Sequence, residues 1–219
     1  MNAVVNRVTP NITTMIRMDH SHVLALFHRY TPDTSEARKR ALVTNACIAL
    51  QVHAQLEEEI FYPAMREVLP GDEVLDKSES EHQQMRDLID DLRARSASGE
   101  SIDEAFDEKF MSLMRIVMHH VADEETHILP AAERLLRDDL TRLAAEMTRR
   151  RMELLKPHAR EIAASTARSF PVGTAAGAAL VTAGAVALGA MLFSRNRNGR
   201  GTSEMHRPRF ADRDRTRPM

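Results

Sequence analysis

The stretches His53-Ala54-Gln55-Leu56-Glu57-Glu58-Glu59-Ile60-Phe61-Tyr62-Pro63 and His120-Val121-Ala122-Asp123-Glu124-Glu125-Thr126-His127-Ile128-Leu129-Pro130 both read H-x3-E-E-x4-P. Each lies late in a long helical pattern, one running from about Ser35 to Val68 and the other from Ile102 to Leu136, and each proline is expected to kink or end its helix. Each is preceded by a helix in which an acid stands before a histidine, Asp19-His20 and Glu81-His82. The first of these helices covers residues 15–30, where Ile16, Val23, Leu26, Phe27 and Tyr30 recur at three- and four-residue spacings after a Thr13-Thr14 capping signal. The other fits Asp76 to Ser96, between the Leu69-Pro70-Gly71-Asp72 turn and a Ser-Ala-Ser-Gly loop. A fifth helical pattern, rich in Arg and Glu, covers roughly Asp139 to Ser169 despite Pro157. No stretch alternates with period two over a strand's length, so the fold class is all-α. Short connections favour antiparallel neighbours. The expected architecture is an up-down-up-down four-helix bundle with an added C-terminal helix and apolar segment.

Residues four apart share a helix face, so His53 with Glu57, and His120 with Glu124, each aim an imidazole and a carboxylate at one point. Two hairpins related by a pseudo-two-fold axis would bring His20 and His82 to the same level. The set His20, His53, Glu57, His82, His120 and Glu124 then offers four nitrogen and two carboxylate donors, which suits a first-row ion of the iron or manganese kind. A zinc site of the thiolate type is excluded, because Cys47 is the single cysteine. Cys47 itself sits in an apolar run and reads as a small hydrophobe. Glu58 and Glu59 read as a solvated acidic face, and His22, His28 and His119 as surface or supporting groups outside the repeat. His127, three residues after Glu124, could support a ligand, take a proton or join the metal. A competing pattern is E-x-x-H, as in ferritin-like bundles, which would make Glu79, His82, Glu124 and His127 the ligands; it ignores the duplicated units. Met111, Met114 and Met118, spaced three and four apart, read as a flexible core stripe.

The order H…H-x3-E…H…H-x3-E resembles that of the hemerythrin family, specifically the HHE cation-binding proteins, over about residues 12–140. That resemblance implies a four-helix bundle holding two irons, with His20, His53, His82 and His120 as terminal ligands and Glu57 and Glu124 as bridges. The oxygen-carrying hemerythrins have a further histidine where this chain has Arg86, and an aspartate five residues beyond the last histidine, where Glu125 follows Glu124 here. The function implied is a non-haem di-iron protein that binds or senses a small oxidant: oxygen, nitric oxide or peroxide. Catalase- or peroxidase-like turnover at the same site is an open question, with His127 or Tyr62 handling protons. Iron storage or buffering, and a bundle with vestigial ligands, are the other readings.

The formal net charge of −2 conceals a division of the chain. Residues 194–219 carry eight Arg against three acids, residues 170–193 carry no charge, and residues 1–169 hold a net −7. The organisation expected is a metal-binding bundle over 12–140, a charged helix over 141–169, an Ala/Gly-rich apolar segment over 170–193 and a basic disordered tail over 194–219. The 23 uncharged residues from Pro171 to Phe193 would span about 35 Å as a helix, enough for a hydrocarbon core of about 30 Å. Their small residues four apart, Gly173 with Gly177 and Ala185 with Gly189, suit close helix pairing and so a homo-oligomer. The N-terminus shows no secretory pattern. The bundle is therefore expected in the cytoplasm, attached to the inner face of the membrane through 170–193. Interleaved aspartates and the lack of interleaved aromatics in the tail argue against specific nucleic-acid recognition.

Overall fold

A computed structural model describes residues 11–99 and 101–169. Helix α1 (Ile12–His28) starts at Asn11, whose side chain accepts the Thr14 N–H at 2.8 Å, two residues before the expected Thr13-Thr14 cap. Thr13 instead turns inward and donates to Glu133 at 2.9 Å. Helix α2 (Glu36–Leu56) passes through a π turn (Glu57–Phe61) into α3 (Tyr62–Val68). Asp72 opens α4 (Glu73–Ser98) by accepting the Val74 and Leu75 N–H groups, and Gly99, at φ +75°, closes it. Helix α5 (Glu104–Asp123), capped by Asp103, passes through a second π turn (Glu124–Ile128) into α6 (Leu129–Leu135). Helix α7 (Leu140–Leu155) is joined by a single 3₁₀ turn at Pro157 (Lys156–His158) to α8 (Ala159–Ser169). No strand occurs among the described residues.

Helix α1 packs on α2, α2 on α4, α4 on α5 and α5 on α1, which closes a four-helix ring; α7 lies against α1 and α2, and α8 against α2. The expected bundle with an added C-terminal helix is therefore present, with that helix in two pieces. The expectations for 170–193 and 194–219 lie outside the described residues, among which no helix is long and apolar enough to cross a membrane.

The prolines do not end their helices. A proline ring clashes with the carbonyl four residues back and lacks an N–H, and the chain widens by one residue in the turn just before it. Tyr62 N–H donates to Glu57 C=O, and Leu129 N–H to Glu124 C=O, each across five residues. The helix then continues for two turns.

Two apolar clusters fill the bundle, one around Ile12, Ile16, Phe61, Tyr62, Met65 and Leu129, the other around Val23, Phe27, Leu50, Met85, Phe110 and Val117. Helices α1 and α4 cross from one cluster to the other at His20 and His82, and α2 and α5 within about a turn and a half of His53 and His120. The methionine stripe is core only at Met114, which packs partly buried on the second cluster; Met111 is 45% and Met118 56% exposed, because the inward face of α5 is carried one position away by Phe110, Leu113 and Val117. Cys47 is fully buried, and burial pushes its thiol up to about 12, as its reading as a small hydrophobe requires.

Phe110 is fully buried, edge-on to Phe27 and tilted against Tyr30. Phe110→Ala is expected to lower the urea unfolding free energy by about 3–5 kcal/mol. Met118→Ala should change it by less than about 0.5 kcal/mol.

Candidate metal centre

The polar layer between the clusters is built by four helices. Among its six residues none is more than 5% exposed, with Glu57 and Glu124 at 0%. His53 Nε2 stands 3.1 Å and His82 Nε2 3.4 Å from Glu57 Oε2. His20 Nε2 stands 3.3 Å and His120 Nε2 3.7 Å from Glu124 Oε2. All four imidazoles thus turn Nε2 inward toward the two carboxylates. Potential ligand atoms of His20, His53, His120 and Glu124 fall within 4.8 Å of one another, as do those of Glu57, His82 and His120. The structure brings together every residue of the sequence-derived set.

The π turns begin on the two glutamates. The first ends on Ile60 and Phe61 and hands over to Tyr62, and all three are buried below the site.

Each outward nitrogen, Nδ1, meets an acid from a neighbouring helix. His20 pairs with Glu125 at 3.0 Å and His82 with Glu58 at 3.0 Å; His53 stands 3.6 Å from Asp19 and His120 3.5 Å from Glu81. The duplication therefore extends past the ligand set, with matched distances in the two halves. Glu58 is not the solvated residue its sequence context suggests, since it accepts from Arg86 at 2.6 Å as well. These acids were legible as the residue before each helix-one histidine and after each glutamate, but spacing alone does not say that they cross to another helix.

Tyr62 has no equivalent, since Leu129 occupies its place in the second half. Its hydroxyl donates to Glu124 Oε1 at 2.9 Å and lies 3.5 Å from His82 Nε2, with its ring stacked on that imidazole. Burial and the nearby carboxylates hold its phenol well above the ordinary value. The E-x-x-H alternative fails geometrically: His127 is half-exposed and pairs with Asp72 at 2.7 Å, while Glu79 pairs with Arg66 at 2.9 Å.

Charge in the layer is strongly conditioned by burial. Burial and the facing Glu124 raise Glu57 well above a normal carboxyl. Burial acts the same way on Glu124, but His120, His20 and His53 outweigh it and hold the carboxyl well below its usual range. His20 resists burial through Glu124, Glu57 and Glu125 and is raised to about 9; burial, reinforced by His20, lowers His53 to about 4 against the pull of Asp19. The layer nevertheless leaves buried atoms without a well-formed hydrogen bond, among them Nε2 of His20 and His53, both oxygens of Glu57 and Oε2 of Glu124. Each such atom costs about 1–3 kcal/mol. Inward-facing nitrogen and carboxylate donors left over in one place fit a divalent cation of the first transition row. Beside them is a cavity of about 10 Å³ against His20, His53 and His120, walled by Val23, Leu50, Val117 and Val121, room for about one water-sized molecule.

The sequence model of the hemerythrin HHE cation binding domain matches residues 11–132. The chain belongs to the hemerythrin HHE family. Such a domain is a metal-binding helical bundle, typically for iron, and its match ends before α7. The chain is 29% identical over 131 residues to a DNA nickase of a Nostoc species; the match takes in 60% of this chain and 36% of that relative, so the chain spans about a third of its length. A solved hemerythrin HHE cation-binding domain-containing protein from Mycobacterium kansasii has the same fold, at a TM-score of 0.55 and 22% identity, over 74% of this chain and all of the other.

Because His20, raised to about 9, holds a proton at neutral pH in the metal-free HHE layer, a cation must displace it. Adding cobalt(II) at pH 7 in weak buffer is expected to release protons, read with an indicator dye, and the affinity should rise with pH up to about 9, where His20 gives up its proton unaided. His127→Ala and Glu79→Ala should leave the bound metal unchanged by elemental analysis.

Proposed function

We propose that this protein holds two iron ions in the His/carboxylate layer and binds or senses a small oxidant there: oxygen, nitric oxide or peroxide. The observation that carries the reading is the surplus of unsatisfied donors, Nε2 of His20 and His53 with the free oxygens of Glu57 and Glu124, next to a cavity that admits about one small molecule. His20, His53, His82 and His120 supply the nitrogens and Glu57 and Glu124 the carboxylates. Iron held this way supplies one-electron chemistry and open coordination positions; manganese fits the same donors.

The chain's own residues set the conditions. Asp19, Glu58, Glu81 and Glu125 orient the imidazoles from behind, the role that outer partners of ligating histidines usually have. Val23, Leu50, Val117 and Val121 keep bulk water from the cavity. Tyr62 holds a proton on its hydroxyl against Glu124 Oε1, in reach of anything that displaces that hydrogen bond, which makes it the candidate for proton delivery if peroxide is turned over. His127, paired with Asp72 at the surface, is unsuited to that task. Nicking of DNA, the activity of the Nostoc relative, would not fit this layer, whose donors are buried beside a cavity far too small for a nucleotide.

Purified protein is expected to carry about two irons per chain, and Glu57→Ala combined with Glu124→Ala should abolish the loading. Iron below about one per chain, unchanged by the double substitution, would sink the metal reading. Peroxide consumption separates turnover from binding or storage: a rate that His53→Ala leaves intact rules out turnover at this layer.

A further inference from the structure

Helix α7 lies beyond the residues matched by the family, yet it reaches the metal layer through one side chain. Arg151 Nη1 donates to Asp19 Oδ1 and Nη2 to Asp19 Oδ2, both at 2.5 Å, a two-point clamp with the guanidinium 22% and the carboxylate 19% exposed. Asp19 Oδ2, in turn, stands 3.6 Å from His53 Nδ1. Asp19 is thus fixed from outside the bundle and faces the back of a candidate ligand.

Its equivalent in the other half is held differently. Glu81, behind His120, has Lys77 from one turn earlier on its own helix, at 3.4 Å, and that lysine is half-exposed and shared with Asp123. A guanidinium fork fixes both position and plane of a carboxylate, whereas an ammonium on a flexible stem fixes neither. Helix α7 is itself pinned beside the site. Leu143, Ala144 and Met147 are buried in the cluster below the layer, and Arg150 makes a second fork onto Glu59, with Nε and Nη2 at 2.6 and 2.9 Å. Arg150 has no path to a ligand histidine through Glu59, so the two neighbouring arginines do different things.

We propose that Arg151 is a positioning residue for the metal centre: through Asp19 it sets the orientation of His53, so that α7 governs how firmly the group His20, His53, His120 and Glu124 holds its ion. The proposal rests on the two-ion reading given above. It makes the two metal positions unequal, since only one is braced from outside the four-helix ring.

Cobalt(II) serves as the probe in the full chain, with release to a chelator and the visible spectrum followed together. In the unaltered protein two ions should leave slowly. In Arg151→Ala one of the two should leave several-fold faster, with about 10–100-fold, the usual cost of losing the direct outer partner of a ligand, as the ceiling, and the band of that ion should shift. Arg151→Lys should fall between, and Asp19→Asn, which keeps the shape of the carboxylate, should speed the same ion. Arg150→Ala, which loses a fork of similar strength on the same helix, should behave as the unaltered protein. Equal acceleration of both ions in Arg151→Ala, or no acceleration, overturns the proposal while two cobalt ions in the unaltered protein leave the metal reading standing. An unaltered chain that binds no cobalt removes both.

Discussion

Four imidazoles and two carboxylates buried in one layer, with apolar clusters above and below, are the constraint on which the rest of the structure depends. Burial penalises every charge there, and the chain answers in two directions. Outward, each imidazole backs onto an acid from the next helix around the ring, so that α1 is tied to α2 and α5, and α4 to α2 and α5, by polar contacts at a single level. Inward, the remaining donors converge and stay unsatisfied among themselves. A bundle organised for stability alone would fill that layer with aliphatic side chains, as it does on either side. The polar layer is therefore the part of the molecule whose cost calls for a ligand.

Much of this is visible in the sequence because the duplication repeats the chemistry at fixed spacing. H-x3-E places His53 with Glu57 and His120 with Glu124 on one helix face whatever the details of packing, and all six residues of the set lie together. Two things escape a reading by spacing. One is the π turn. Three-and-four periodicity assumes an unbroken helix, and proline alone signals a kink or an end, whereas the chain widens by one residue before Pro63 and the helix runs on. The other is which acid serves which imidazole. Asp19 precedes His20 in the chain but backs onto His53, and Glu58 follows Glu57 but backs onto His82. Local order names the residues; the crossing between helices assigns them.

The methionines of α5 show the same limit. Met111, Met114 and Met118 have the right spacing for a core stripe, but Phe110, Leu113 and Val117, offset by one position, have it too, and the bulkier and more rigid set faces in. His127 is a similar case. Its i+3 relation to Glu124 would suit a ligand in a straight helix, yet it lies within the π turn, and at the surface it meets Asp72, the cap of α4. Arg86 donates to Glu58 and so reinforces the outer face of His82 rather than the inner.

Tyr62 breaks the duplication on one side only. A carboxylate can meet a cation through one oxygen or through both, and by swinging between the two it opens or closes a coordination position without any movement of backbone. On Glu124 one oxygen accepts from the Tyr62 hydroxyl, while on Glu57 neither oxygen has a hydroxyl partner and Oε2 faces the imidazoles of His53 and His82. Of two carboxylates built from matching repeats, a bound cation would therefore find one already held by a phenol, where the twin position of that phenol carries Leu129.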